Sequence, residues 1–375
     1  MDPFDFSTGT TNPETFPTDD LAEAAARAVR SHGVELNTYP GRLGHEGLRR
    51  LMAQREFDRE GVRLDPDRIA LTNGSMQAVT LAAEALCEGR DDLVVMEEYC
   101  YSGTIRAYRS LGIEMVGVPV DGRGMRTDAL AGTLERLRGE GRAPRFIYVL
   151  ASYQNPTGHV MPRERRVELL RIAREHRCIV VEDNCYGDVH YDGEKVPALY
   201  ALDDGPRQVY LCSLSKIFAP GVRLGYLTAS SPELFERIME RRHDAGPNTL
   251  AAAITAEYLD GRLWEHCEMA NRALKAKRDA MLAGLESELG NTCSWSRPPG
   301  GLFIWVRLPD GIDLARLEAV AAERGVSFSQ GSEFHVEGGG GPYIRLAFGF
   351  ARVEDIHEGI ARLARSIEAA NRRSA

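Results

Sequence analysis

Lys216 is the residue around which chemistry can be built. It lies in QVYLCSLSKIFAPGVRLGYLT, residues 208–228, after an apolar run (Val209, Tyr210, Leu211) that reads as a buried strand and after the small polar pair Ser213 and Ser215. An ammonium at a buried strand end is costly. Burial lowers its pKa from about 10.4 and frees the amine as a base or nucleophile, which suits Schiff-base formation with a carbonyl compound. Farther on, Arg223 follows Pro220 and Gly221, a turn able to aim a guanidinium back at an anion beside the lysine. Taken alone, a surface Lys and a surface Arg flanking a strand describe the pair as well, and for most such pairs that is the answer. Other strand ends have to decide.

The elements that carry such residues alternate. From Ile69 onward, IALTNG, DLVVM, EMVGVPV, FIYVL, CIVVE and the lysine strand read as strands, separated by helices expected over 75–87, 102–111, 128–137 and 162–176. Continuous apolar strands separated by helices imply an α/β fold with a parallel sheet covered on both faces, where ligands collect at the carboxyl ends of the strands. Upstream come an extended arm to Phe16-Pro17, a helix capped by Thr18 and running to Gly33, and a glycine-punctuated loop, YPGRLGHEG (39–47). That loop lacks the Gly-Lys-Ser/Thr of a Walker site. Beyond Tyr226 the pattern is helical over 231–244, 249–260 and 263–289. A second, smaller α/β unit follows: strand 302–308, helix 314–324, strand VSFS, a four-glycine loop, strand YIRLAF and a last helix. Ile356, Ile360, Leu363 and Ile367 recur there at helical spacing, so one face should pack on the second sheet. The expected division is 1–48 for the N-terminal arm and part of the small domain, 49–275 for the large domain and 276–375 for the C-terminal small domain.

Several of these strands end in residues able to bind. FIYVL runs into Asn155-Pro156, CIVVE into Asp183 with Tyr186 shortly after, and IALTNG delivers Gly74 and Ser75 at a helix start, where free N–H groups make an anion site. Each has a structural explanation by itself, yet all lie on one rim of the expected sheet. A single ligand uses all of them. It has an aldehyde for Lys216, a phosphate for Ser75, Ser213 and Arg223, a ring cation for Asp183 and a phenolic oxygen for Asn155 and Tyr186. Pyridoxal 5′-phosphate (PLP) carries that set, and a carboxylate against its pyridine nitrogen keeps the ring an electron sink.

With NGSMQA, YQNPTG, VVEDNCYGD, SLSKIFAPGVRLGY, PPGGLFIWVRLP and YIRLAFG in place, nearly the whole chain resembles the fold-type-I, PLP-dependent class I/II aminotransferases. The likeness is strongest to the branch of the 2-aminoadipate and kynurenine aminotransferases. The resemblance implies a large domain with a mostly parallel, seven-stranded-type sheet sandwiched by helices, plus a smaller α/β domain. It implies that Lys216 holds PLP as the internal aldimine and shuttles the proton, that Asp183 pairs with the pyridine nitrogen, and that Asn155 and Tyr186 bond the ring hydroxyl. It further implies that Tyr101 stacks on the ring and that Gly74, Ser75, Met76, Ser213 and Arg223 form the phosphate site. Tyr39 would reach the phosphate of a neighbouring subunit, and Arg345 would grip the substrate α-carboxylate with Gly9 and Asn155 close by. Read from the residues alone, Arg345 alternates against Ile344 and Leu346 and faces away from them; a solvated arginine on a half-exposed strand satisfies that as well. Cys185 stands where Pro is frequent, Glu98-Tyr99-Cys100 replaces acid-Pro-Thr, Thr11 replaces a common Pro, and DAGPNT (244–249) replaces a Ser-rich helix start.

Composition narrows the rest. The 375 residues carry a formal charge of −9 with no sustained Lys/Arg block, which disfavours a nucleic-acid surface; Arg372 and Arg373 make too short a tail to count. No apolar run reaches membrane-spanning length, and the acidic N-terminus lacks the order of a signal peptide. Seven scattered cysteines without C-x-x-C suit reduced thiols in a cytoplasm, and the nine histidines show no metal-ligand spacing. The expectation is a cytoplasmic homodimer of amino-acid metabolism and biosynthesis, with its active site shared across the interface, acting on an amino acid and a 2-oxo acid. The alternatives are elimination, cyclisation, decarboxylation or oxidation on the same cofactor, or a non-catalytic PLP-sensing domain, for which the chain leaves no room for an N-terminal helix-turn-helix.

Overall fold

The computed structural model describes residues 4–89 and 91–371, so Arg372 and Arg373 lie outside the described residues. Helices α1 (Thr18–His32) and α2 (Glu46–Glu60) precede a large sheet. Its strands are β1 (Ala70–Asn73), β2 (Leu93–Glu97), β3 (Glu114–Val118), β4 (Phe146–Val149), β5 (Ile179–Asp183), β6 (Gln208–Ser213) and β7 (Leu224–Ala229). The seven run in the order β1-β7-β6-β5-β4-β2-β3. Neighbours from β3 to β6 pair in parallel, whereas β7 is antiparallel to both β6 and β1.

Strand periodicity explains why these runs are apolar throughout. Val94 and Met96 of β2 join Phe146, Tyr148 and Val181 in the core on one face, while Leu93 and Val95 join Ile147, Val149 and Val180 on the other. Helices α3 (Ser75–Leu86) and α4 (Ser102–Ser110) cover the first face; α5 (Thr127–Gly139) and α6 (Arg163–Glu175) cover the second. After β7 come α7 (Pro232–Met239), α8 (Thr249–Leu259) and the long α9 (Leu263–Leu289).

The smaller unit is an antiparallel sheet of β8 (Ser294–Trp295), β9 (Phe303–Arg307), β10 (Ser329–Gln330) and β11 (Tyr343–Ala347), in the order β8-β9-β11-β10. It packs with α9, α10 (Leu314–Glu323) and α11 (Val353–Asn371) around one core. Ile356, Ile360, Leu363 and Ile367 of α11 are all buried there, each contributing about 2 kcal/mol of apolar burial.

Three expectations are corrected, and one unassigned stretch is filled. Thr18 is the first helical residue of α1 rather than its cap; Pro17 holds that place without a side-chain bond. Helix α2 fills a stretch that the apolar pattern leaves unassigned. Strand β7 occupies 224–229, where the reading turns helical after Tyr226. VSFS is split: Val326–Ser327 pairs in parallel with the arm strand Phe4–Asp5, and β10 follows separately. The arm's Phe6 sits in the smaller core, while Ala24 of α1 and Leu48 of α2 sit in the larger one. Among the described residues no helix is long and apolar enough to cross a membrane.

Candidate active site

The antiparallel return of β7 sets the geometry. β1, β5 and β6 finish at one rim, and because β7 runs the other way its start, not its end, arrives at the same rim. Ser213 stands opposite Gly225, and Leu224 opposite Asn73. Lys216 and Arg223 therefore both lie in the loop joining β6 to β7. A cavity of about 410 Å³ opens there. Its walls include Ser75, Met76, Tyr101, Asn155, Asp183, Tyr186, Ser213, Lys216, Arg223 and Arg345, with Gly9 of the arm across the top.

The lysine loop is held from several sides. Lys216 Nζ donates to the Gly9 carbonyl (2.7 Å), and Thr11 Oγ1 donates to the Lys216 carbonyl (2.9 Å). Burial drags the ammonium down to about 8; the nearby charges of Arg345 and Arg223 push the same way and Asp183 opposes them. Nζ also stands 5.7 Å from the centre of the Tyr186 ring. Arg223 adopts a left-handed backbone, φ 54°, which costs a non-glycine residue roughly 1 kcal/mol and turns the chain back into β7. Its guanidinium donates to Asn73 O (3.4 Å), beside the start of α3. That helix start has no side-chain cap, so its first N–H groups face outward. Gly74, the N-cap at φ 71°, sits behind the wall; a Cβ there would strike the Arg223 guanidinium. Ser213 Oγ accepts the Ser215 N–H at 3.1 Å.

Asp183 is buried at the end of β5. Burial pushes its carboxyl up, against hydrogen bonds from the Cys185 thiol (2.7 Å) and the Tyr148 hydroxyl (2.6 Å) and against the field of Lys216. Thr104 Oγ1 lies 3.1 Å from the same Tyr148 hydroxyl. The Tyr101 ring folds over Gly103 of α4, where a Cβ would run into it. Arg345 projects from β11 on the face opposite Ile344 and Leu346, as the alternation requires, but it is buried rather than solvated. Its Nη1 donates to Asn155 Oδ1 (3.0 Å), its Nη2 to Ser7 O and Ser329 Oγ, and its buried Nε has no partner among the described residues. The Phe303 and Phe334 rings flank its Cζ at 4.4 and 4.7 Å.

Tyr39 is not brought into this group. It is 86% exposed and lines a separate, larger cavity of about 950 Å³. His32, Glu35 and His45 meet in that wall with ligand-type atoms within 4.8 Å of one another, a grouping no local spacing announces. His45 Nδ1, however, already accepts the Leu48 N–H as the cap of α2. Sequence reasoning also passed over Tyr148, Ser329, Glu333 and Phe334. Only Tyr148 left a signal, since a tyrosine inside a buried strand needs a partner for its hydroxyl.

The cavity fits the cofactor that the resemblance implies. Its wall holds uncapped N–H groups, an arginine, a lysine of lowered pKa and a buried carboxylate that has no ion-pair partner among the described residues. The unpartnered Nε of Arg345 asks for an anion of its own. Known proteins point to the same cofactor. The family model for aminotransferase class I and II matches residues 3–363. The chain is 33% identical over 359 residues to aromatic-amino-acid aminotransferase 1 of Thermococcus litoralis, covering 95% of this chain and 86% of that protein. It is 34% identical over 369 residues to the 2-aminoadipate transaminase of Thermus thermophilus, covering 97% and 89%. The crystal structure of alpha-aminoadipate aminotransferase from Thermus thermophilus, complexed with N-(5′-phosphopyridoxyl)-L-leucine, superposes with a TM-score of 0.91 at 33% identity, over 98% of this chain and 92% of that one.

Proposed function

The chain belongs to the class I and II aminotransferases, and from that membership we propose how its residues share the work of a PLP-dependent transfer of an α-amino group between an amino acid and a 2-oxo acid. Bound in the cavity, PLP supplies an aldehyde carbon that accepts the amino group and a ring that withdraws electrons from the substrate Cα. Lys216 Nζ anchors the aldehyde and afterwards takes the proton from Cα and returns it at the aldehyde carbon. A lysine drawn down to about 8 holds a useful fraction of free amine near neutral pH. Asp183 keeps a proton on the ring nitrogen. Asn155, whose Oδ1 is engaged by Arg345, has no partner for Nδ2 among the described residues and donates it to the ring oxygen together with the Tyr186 hydroxyl. The Ser75 and Met76 N–H groups, Ser213 and Arg223 take the phosphate, with Gly74 leaving room for the arginine, and Tyr101 covers one ring face. Arg345 takes the substrate α-carboxylate through Nε and one Nη, under the Gly9 segment of the arm.

The observation that carries this division is the convergence of Lys216, Asp183 and Arg345 on one cavity, each needing a different charge to meet it. A panel of amino acids tests it. For a true substrate the cofactor's visible band bleaches in a half-reaction as one equivalent of the matching 2-oxo acid appears. Release of ammonia or carbon dioxide without that bleaching would assign the chain to elimination or decarboxylation instead.

We further propose a homodimer in which the exposed Tyr39 reaches the partner's phosphate site, and a cytoplasmic place in amino-acid biosynthesis, in keeping with seven free cysteines. Loss of one hydrogen bond to a charged group is worth roughly 1.5 kcal/mol, so Tyr39→Phe should weaken cofactor binding about tenfold. Equilibrium titration of the apoprotein measures this, and sedimentation of a fully active monomer would remove Tyr39 from the site.

A further inference from the structure

Helix α4, capped at Tyr101, places Ser102 and Arg106 in the wall of the cavity. The cavity's charged side chains are Arg106, Lys216, Arg223 and Arg345 against Asp183 and Glu333. On the reading above, Arg223 faces the phosphate, Arg345 the α-carboxylate, Lys216 the aldehyde and Asp183 the ring nitrogen, which leaves Arg106 and Glu333. Glu333 is already committed. Its Oε1 accepts the Gln330 N–H (2.7 Å) in a capping box, and its field falls on Arg345. Arg106 has neither a hydrogen bond nor an ion pair among the described residues, whereas Arg109, one turn along, donates to Val336 O at 3.1 Å. Phe303 and Phe334, whose rings flank Arg345, make part of the wall apolar and aromatic.

We propose that Arg106 reads the far end of the substrate side chain and selects amino acids that end in a carboxylate, together with the matching dicarboxylic 2-oxo acids. This rests on Arg345 holding the α-carboxylate. From that anchor the methylene stem lies along the aromatic wall and the terminal carboxylate meets Arg106, the cation that, among the described residues of the cavity, the cofactor and the α-carboxylate leave without a counter-charge. Glu333 repels the same group, which directs the stem toward α4. The guanidinium presents a planar fork suited to a carboxylate, and a glutamine in its place keeps a donor and the helix propensity but loses the charge. A substrate ending in an ammonium would turn to Glu333 instead.

The test compares native enzyme with Arg106→Gln, both as holoenzyme, on L-glutamate and L-2-aminoadipate against the neutral L-glutamine and L-norleucine, with L-lysine as the cationic arm. The expected result is a fall of about 10- to 100-fold in the ratio of kcat/KM for acidic over neutral substrates, carried mainly by KM. Binding of glutarate relative to butyrate, read from the cofactor's visible band without turnover, should weaken by a similar factor. A ratio that stays within about twofold, or a native preference for lysine that Glu333→Gln removes, overturns the role of Arg106 and leaves the transamination reading standing. If no amino acid of any class bleaches the band with release of its oxo acid, the transamination reading fails, and Arg106 falls with it.

Discussion

Lys216→Ala slows turnover by roughly 10⁴-fold or more, because no neighbour is able to take over its proton. Burial pushes the Tyr186 hydroxyl well above its ordinary value, and the Cys185 thiol is pushed up in the same way, so both stay protonated near neutral pH. Arg345 remains a cation at any working pH. The phosphate and ring contacts are untouched by the substitution, so the variant should still bind PLP while failing to pass the amino group on. Single-turnover kinetics with a good amino donor checks this, and transamination at the native rate would remove Lys216 from the chemistry. Linkage offers a second readout on the apoprotein. A lysine lowered from 10.5 to about 8 in the folded chain costs stability in full below pH 8, and the cost is relieved as pH rises to the unfolded value. The difference in melting temperature between Lys216→Met and native apoprotein should therefore shift in favour of the native chain between pH 8 and 10.5. A difference that does not move over that interval would place the Lys216 amine in water.

Most of this site was readable because sheet folds present chemistry at strand ends, and strand ends are where an apolar run stops. Asp183, Asn155 and Lys216 each follow such a run, and Arg345 interrupts one with the period of a strand. What the pattern hid depends on contacts between distant segments. Helix α2 shows no apolar stripe because Arg49, Arg55 and Glu56 share its buried side with Leu48 and Met52. At Arg55 burial opposes the charge, but Asp188, far along the chain, outweighs it and keeps the guanidinium ionised. A buried polar face of that kind is indistinguishable from a solvated one until its partner is known.

Strand β7 was missed for a different reason. LGYLTA is as apolar as its neighbours, but a lysine, a proline and an arginine in the preceding loop look like the end of the sheet rather than a reversal within it. The direction of β7 matters more than its existence, since a parallel strand would deliver Arg223 to the opposite rim. Tyr148 and Arg106 lie in elements that were placed correctly, and only their neighbours across the cavity give them a task. The resemblance supplied roles for residues whose own pattern left them open, above all Arg345. It gave none for Arg106, whose reading depends on every other cavity charge having been assigned first.

Asp183→Asn should give a more stable apoprotein and a nearly inactive enzyme. In the folded chain burial raises the Asp183 carboxyl, and hydrogen bonds from Tyr148 and Cys185 only partly offset that rise. A carboxyl raised on folding holds its proton more tightly than in the unfolded chain, so the stability it contributes is lost as pH climbs through its folded value. Asp183 has no ion-pair partner among the described residues, so ionising this buried acid in the apoprotein is costly. Asparagine keeps an oxygen to accept from Tyr148 and has no charge to desolvate. Its advantage should appear in melting curves at pH 7.5 and shrink as pH falls below the ordinary value of 3.8, where the acid is protonated in both states. Binding of PLP reverses the balance, since the ring cation is the charge that Asp183 lacks. The native protein should then gain more in melting temperature from the cofactor than the variant does, and kcat/KM of the variant should fall roughly 10²- to 10³-fold, the scale for removing one preorganised electrostatic contact at a reacting group. An asparagine variant with native activity and an unchanged gain on cofactor binding would show that this buried acid does not face the ring nitrogen, and the assignment of the other strand-end residues, which shares that orientation, would have to be turned around with it.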